Sequence, residues 1–116
     1  MVGYGLDIKC IVAIVERGRA DKVVKAAKAK GASGATIFYG RGTGETEVKK
    51  FLKMHIESSK EVILILAHVG QKDDIIEAMV EAGRLKEPGT GILFTVDIDD
   101  LVGLKHRKNF NKDDNN

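Results

Sequence analysis

EVILILA, the stretch Glu61–Ala67, decides the fold because it is an almost unbroken run of branched apolar residues. Such a run is typical of a β-strand that is buried on both faces. A second run of this kind, IKCIVAIV, spans Ile8–Val15. Apolar and polar residues do not alternate within Cys10–Val15 or Val62–Ala67. Both faces of the predicted sheet are therefore apolar.

The rest of the chain repeats one supersecondary unit around these two strands. The first predicted helix has an acidic residue in its first turn and basic residues in its last, which matches the helix dipole. Gly31 suits the left-handed backbone position after the end of this helix. Asp74 and Glu77 resemble a capping box of a second helix, which ends at Gly83. The predicted elements are, in chain order, the strand Ile8–Val15, the helix Ala20–Lys30, the strand Ala35–Arg41, the strand Glu61–Ala67, the second helix and the strand Ile92–Ile98. This βαββαβ order predicts an α+β, ferredoxin-like fold: a four-stranded antiparallel sheet with both helices on one face.

The apolar strands also predict quaternary structure. Two helices can cover only one face of the sheet, so we expect the other face to pack on neighbouring subunits. The alternative is that Val48–Ser59, which is more hydrophobic than a linker, folds back over the sheet. Part of that segment, residues 50–56, has some strand-like character and could extend a hairpin.

Length and composition indicate one domain over residues 1–108 and a disordered polar tail over residues 109–116. The 116 residues include 19 Lys and Arg against 17 Asp and Glu, a net charge of +2 that does not favour a nucleic-acid partner. Apolar runs are too short to span a membrane, and the single cysteine, Cys10, is expected to be buried as a small hydrophobe. These features predict a cytoplasmic protein.

Two glycine tripeptides occupy corresponding positions in the repeated unit. Gly42-Thr43-Gly44 follows the second strand, and Gly89-Thr90-Gly91 precedes the fourth. Glycine lets the backbone approach a ligand closely, and successive N–H groups in such turns form anion-binding nests. Arg41 adds a positive charge beside the first turn. These turns predict an anion site, whereas a single turn of this kind would be an ordinary loop.

Several motifs in the same order resemble the PII nitrogen-regulatory proteins. They are A-D-K-V-V-K-A at residues 20–26, G-A-S-G-A-T-I at residues 31–37 and P-G-T-G-I-L-F-T-V-D-I at residues 88–98. The E-R-G-R-A-D-K and Y-G-R-G-T-G motifs, with a shortened loop between strands two and three, are more similar still to a PII-like branch of that family. The resemblance covers roughly residues 8–106.

This resemblance implies a homotrimer that binds an adenine nucleotide in the clefts between its subunits. One wall of each cleft would hold Gly34, Thr36, Gly42 and Gly44, and the other would hold Gly89, Thr90 and Gly91, with Lys105 as a basic phosphate contact. Because PII-like proteins often regulate a membrane transporter or channel, the resemblance also implies a target protein of that kind. No cofactor is required.

The chain departs from the family at positions that matter for the ligand. Family cations are replaced by Glu45, Ile92 and Gly103, and charge-assisted contacts supply much of the affinity for phosphate. ADP, AMP and ATP therefore all remain open as ligands. Residues 42–60 contain no tyrosine, which excludes modification of tyrosine in that loop.

Other functions have less support in the sequence. His55, His68 and His106 lack the spacing of metal ligands, and no serine or cysteine has a recognisable partner base, so we predict neither a metal site nor catalysis. An acylphosphatase would need a catalytic asparagine, but every Asn lies at position 109 or beyond. A trimeric metal-tolerance protein of the CutA type remains the alternative, since it shares the fold.

Overall fold

The structure, a computed structural model, describes residues 7–43 and 58–103. The predicted hairpin at residues 50–56, the predicted covering segment Val48–Ser59 except its last residues, and the predicted tail at residues 109–116 lie outside them. The elements are β1 (Ile8–Glu16), α1 (Ala20–Ala29), β2 (Thr36–Gly42), β3 (Ser58–His68), α2 (Val69–Gly83) and β4 (Gly91–Asp97).

The strands form one four-stranded sheet in the order β2-β3-β1-β4, and every neighbouring pair is antiparallel. The two strands with the longest apolar runs, β1 and β3, are therefore central, while β2 and β4 are the edges. Helix α2 packs against β1 and β3, and α1 packs against β3 and α2, so both helices cover one face of the sheet. The predicted ferredoxin-like fold is confirmed.

The core lies between this face of the sheet and the two helices. From the sheet, Ile11, Val15 and Ile63 are fully buried. Val23 of α1 and Met79 of α2 meet them from the other side and are also fully buried. Burying one such side chain contributes roughly 1.5–3 kcal/mol, so this layer supplies much of the stability.

The opposite face of the sheet is also apolar, as the sequence predicts. Because directly paired residues share a face, the register places Thr36, Leu64, Val12 and Phe94 in one row on this open face. Phe94 is 44% exposed and Val96 on the same strand is 45% exposed. An exposed apolar surface of this kind is typical of an interaction face. The predicted homotrimer stays a prediction.

Cys10 also lies on the open face, where it pairs with Leu66 on β3 and Val96 on β4. It is half-buried, whereas the sequence predicts that it is buried as a small hydrophobe. Partial burial raises the pKa of its thiol, since removal from water disfavours the thiolate.

The second helix begins earlier than predicted. It starts at Val69, directly after β3, and the Nδ1 atom of His68 accepts a hydrogen bond from the N–H of Gly70 at 3.0 Å. The prediction that Asp74 caps this helix is therefore wrong, because His68 already caps it nearly two turns earlier. His68, which the sequence did not identify as a capping residue, therefore has a structural role.

The other boundaries agree with the prediction to within a few residues. Helix α1 ends at Ala29, and Gly31 has a φ of +110°, as expected for the position after a helix end. Neither helix of the described segments has the length and apolar content that crossing a membrane requires.

At the end of the sheet where β1 begins and β4 ends, Lys9 on β1 forms an ion pair with Asp97 on β4. The hydrogen bond and the positive charge of Lys9 lower the pKa of Asp97. Asp97, Asp99 and Asp100 are all exposed.

Candidate functional site

The two glycine turns lie at the same end of the sheet but on opposite edges. Gly91 on β4 pairs with Val15, Val15 pairs with Glu61, and Glu61 pairs with Tyr39 on β2. Gly42 lies a few residues beyond Tyr39 on that edge strand. Three gaps between strands separate the two edges, a distance of about 14 Å. One chain therefore does not bring the two turns into contact.

The turn before β4 requires glycine for reasons of its own. Gly89 and Gly91 have φ angles of +78° and +150°, which L-residues that carry a side chain rarely adopt. A Cβ atom on Gly91 would lie 2.4 Å from the carbonyl oxygen of Ile14, whereas one on Gly89 would meet nothing within 4 Å. Glycine at position 91 is thus needed by the sheet itself, whatever binds there.

Thr90 uses its side chain within the same turn. Its hydroxyl lies 2.8 Å from the carbonyl oxygen of Arg84 and 2.9 Å from that of Glu87, and it donates toward them. Arg84, at the end of α2, has a left-handed backbone with a φ of 55°. The hydroxyl of Thr90 therefore stabilises the turn, and a ligand contact there would fall to the backbone.

The residues predicted for the other wall follow β2. Thr36 is exposed and lies on the open face opposite Leu64. Gly34, just before the strand, is half-buried, and a Cβ atom there would meet nothing within 4 Å. At the other end of the strand, Arg41 and Thr43 are exposed and Gly42 is half-buried. Gly44 and Lys105 lie outside the described residues.

A buried carboxylate holds the turn between β1 and α1. Glu61 is 8% exposed, and its Oε1 atom accepts hydrogen bonds from the N–H of Gly18 at 2.6 Å and of Ala20 at 3.1 Å. The residue before α1, Arg19, makes no capping bond with its side chain. Glu61 therefore takes the role of the N-cap from a distant strand, which places its negative charge at the positive end of the helix.

Cations gather around this turn. The guanidinium of Arg17 lies 5.2 Å from the ring centroid of Tyr39 on β2, a cation–π geometry. Lys60 on β3 pairs with Glu16 on β1 at 2.6 Å. The E-R-G-R-A-D-K and Y-G-R-G-T-G motifs, far apart in sequence, thus meet at one end of the sheet. Sequence reasoning did not assign Arg17 a role.

A surface groove lies elsewhere, along α2 and the loop that follows it. Its lining residues are Asp73, Ile76, Glu77, Val80, Glu81, Arg84, Lys86 and Glu87. It includes none of the residues predicted to bind a ligand, and its open walls carry charges of both signs. We therefore keep the candidate site at the glycine turns, of which the one after β2 lies at the end of the sheet where Arg17 and Lys60 are found.

Within residues 7–43 and 58–103, no three His, Cys, Asp or Glu side chains are grouped as metal ligands would be. The imidazole of His68, the one histidine in these ranges, faces the N–H of Gly70.

A ferredoxin-like sheet with a glycine turn at one end of each edge strand defines the class of this domain. The sequence model of the family described as Nitrogen regulatory protein P-II matches residues 8–108. The chain therefore belongs to the nitrogen regulatory protein P-II family, a family of regulatory proteins. No curated protein matches the chain.

Among solved structures, the chain is similar to the crystal structure of Arabidopsis thaliana PII bound to citrate. The two share 24% sequence identity and a TM-score of 0.68, and the match covers 86% of this chain and 85% of that chain. This similarity confirms the fold.

Proposed function

We propose that the protein is a non-enzymatic, cytoplasmic regulator that forms a homotrimer and binds an adenine nucleotide between its subunits. The bound state would control a partner protein, and a membrane transporter or channel is the partner that the family resemblance favours. Membership of a regulatory family supports the general role. The open apolar face, with Phe94 and Val96 about half exposed, supports self-association.

The observation that carries the proposal is the position of the two glycine turns. They lie at the same end of the sheet, on opposite edge strands about 14 Å apart. A ligand that needs both turns requires a second chain, whose β4 edge would approach the β2 edge of the first. Repeating this contact three times closes a ring with identical clefts.

The ligand class follows from the turns and from the charges that accompany them. The backbone N–H groups of glycine turns suit phosphate oxygens, and the exposed hydroxyl of Thr36 suits a polar edge of a base. Glu45, Ile92 and Gly103 stand where family members carry cations, so ADP or AMP should bind at least as well as ATP. Arabidopsis PII was solved with citrate, so a protein of this fold accommodates a small anion.

Calorimetry with AMP, ADP and ATP tests the ligand, and light scattering tests the trimer. Thr36→Val removes one hydroxyl and should weaken nucleotide binding about 5- to 10-fold, the value of one hydrogen bond. Thr95→Val is the matched control, because Thr95 is an exposed threonine on the other edge strand that faces the helix side. Its affinity should be unchanged.

Two outcomes would contradict the proposal. Failure of the wild-type protein to bind any of the nucleotides at millimolar concentration would exclude a nucleotide effector. If the protein then bound copper ions tightly, the CutA-type alternative would be favoured. Hydrolysis of ATP that disappears on substitution of Thr36 would show that the protein is an enzyme.

A further inference from the structure

We propose that Arg17 binds the phosphate of the effector and that Tyr39 positions it for that role. This inference rests on the proposed function, because it adds a residue to the same end of the sheet. The observation behind it is the contact between the two, with the guanidinium 5.2 Å from the ring centroid.

The contact with Tyr39 leaves the hydrogen-bond donors of the guanidinium available. A cation–π contact is an attraction between the charge and the face of the ring, and it needs no hydrogen bond. The N–H donors of Arg17 can therefore still form a bidentate pair with a phosphate. Since the ring restricts the side chain in advance, less conformational entropy is lost when the anion binds.

Arg17 is exposed, and in the part of the chain that the structure describes no carboxylate pairs with it. The two acidic residues next to it are already engaged. Glu16 pairs with Lys60 at 2.6 Å, and Glu61 accepts the N–H groups of Gly18 and Ala20. The charge of Arg17 is therefore not neutralised by its neighbours.

The position of Arg17 also matches the candidate site. Its backbone N–H donates to the carbonyl of Ser59 at 3.2 Å, and Ser59 pairs with Arg41 on β2. Arg17 is thus level with Arg41 and Gly42 at the end of the sheet, two strands or about 10 Å away across β3. The long side chain of Arg17 can therefore reach an anion held beside Gly42.

The ligand group is a phosphate, which either a nucleotide or a free inorganic anion could supply. The experiment therefore titrates ADP, adenosine and pyrophosphate into the wild-type protein and its variants by calorimetry. Arg17→Ala should weaken ADP binding at least 10-fold and leave adenosine binding unchanged. Arg17→Lys should recover part of the loss, since it restores the charge but not the planar fork.

Lys25→Ala removes another exposed cation, on α1, and serves as the control with unchanged affinity for all three compounds. Tyr39→Leu should weaken ADP binding several-fold in the wild-type background and have no effect in the Arg17→Ala background. Tyr39→Phe should bind as the wild type does. If the effect of Tyr39→Leu disappears in the Arg17→Ala background, Tyr39 acts by positioning Arg17 and not through a general structural role.

Each outcome decides the matter. If the wild type binds ADP and Arg17→Ala binds it equally well, the inference is wrong and the proposed function stands. If the protein binds pyrophosphate through Arg17 but not ADP, the inference stands and the nucleotide proposal is wrong. If the wild type binds none of the three, both are wrong.

Discussion

The carboxylate of Glu61 accepts a hydrogen bond of 2.6 Å from the backbone N–H of Gly18. Glu61 belongs to a central strand, and Gly18 lies in the turn that leads into α1, so this bond ties the helix start to the sheet. The bond is partly buried, since Glu61 is 8% exposed whereas Gly18 lies at the surface. The same turn carries Arg17, which makes Glu61 a support for the proposed phosphate contact.

We expect Glu61→Ala to lower the free energy of unfolding by about 2–3 kcal/mol, because it leaves two backbone donors without their acceptor. Glu61→Gln keeps an acceptor oxygen but loses the charge, so its cost should be about 1 kcal/mol. Urea unfolding followed by circular dichroism measures both.

Glu77→Gln is the control, because Glu77 is an exposed glutamate on α2 with no ion pair among the described residues. Its stability should stay within about 0.5 kcal/mol of the wild type. Equal stabilities of Glu61→Ala and Glu77→Gln would show that the remote cap contributes nothing.

Three glycines near the candidate site should respond differently to alanine. Gly91→Ala places a Cβ atom 2.4 Å from the Ile14 carbonyl and should cost about 3 kcal/mol or more. Gly89→Ala meets no atom but keeps a φ of +78°, so its cost should be about 1 kcal/mol. Gly34→Ala has neither problem and should range from neutral to about 1 kcal/mol stabilising.

Thermal unfolding of the ligand-free variants gives this order directly. A Gly91→Ala protein as stable as Gly34→Ala would mean that β4 can shift away from β1 without cost. A Gly91 variant that no longer binds the ligand could have lost binding because its fold is disturbed. Gly34→Ala does not disturb the fold, so a loss of binding in that variant would show that the ligand approaches the backbone there.

The sequence predicted the fold because its decisive signals are local. Glu61–Ala67 and Ile8–Val15 have uninterrupted apolar runs, and the order of helices and strands follows from periodicity alone. The start of α2 was missed because Val69 and Gly70 are poor helix formers, while Asp74 and Glu77 imitate a helix start.

The candidate site was harder to predict because its contacts join distant parts of the chain. Glu61 caps a turn 43 residues earlier in the sequence, and no local pattern reveals such a bond. Arg17 and Tyr39 each belong to a recognisable motif, but only the antiparallel pairing brings them together. For Thr90 the motif was easy to recognise, but the hydrogen bond of its hydroxyl was not. The hydroxyl donates within its own turn, a contact that the sequence does not reveal.

The open face of the sheet gives a prediction about assembly. Phe94→Glu and Val96→Glu each place a charge on this face, and burying an unpaired charge between subunits is costly. We expect the wild type to be a trimer and both variants to be monomers by light scattering at micromolar concentration. Thr95→Glu, on the same strand but facing the helix side, should remain a trimer.

A monomeric wild-type protein would contradict this prediction. Trimers in both open-face variants would show that a different surface holds the subunits together. In either case the exposed side chains of Phe94 and Val96 would need another explanation.

Assembly and nucleotide binding should be lost together. The two glycine turns lie on opposite edges of one sheet, about 14 Å apart, so a single chain offers only one wall of the proposed cleft at a time. The Val96→Glu monomer should therefore bind ADP at least 100-fold more weakly than the wild type, although its own glycine turns are intact.

Val96 is suited to this test because it lies toward the end of β4 that is remote from Gly91. Calorimetry on the monomer and on the Thr95→Glu trimer makes the comparison, and circular dichroism confirms that both are folded. A folded monomer with the affinity of the wild type would place the nucleotide site within one chain, and the intersubunit cleft would have to be abandoned.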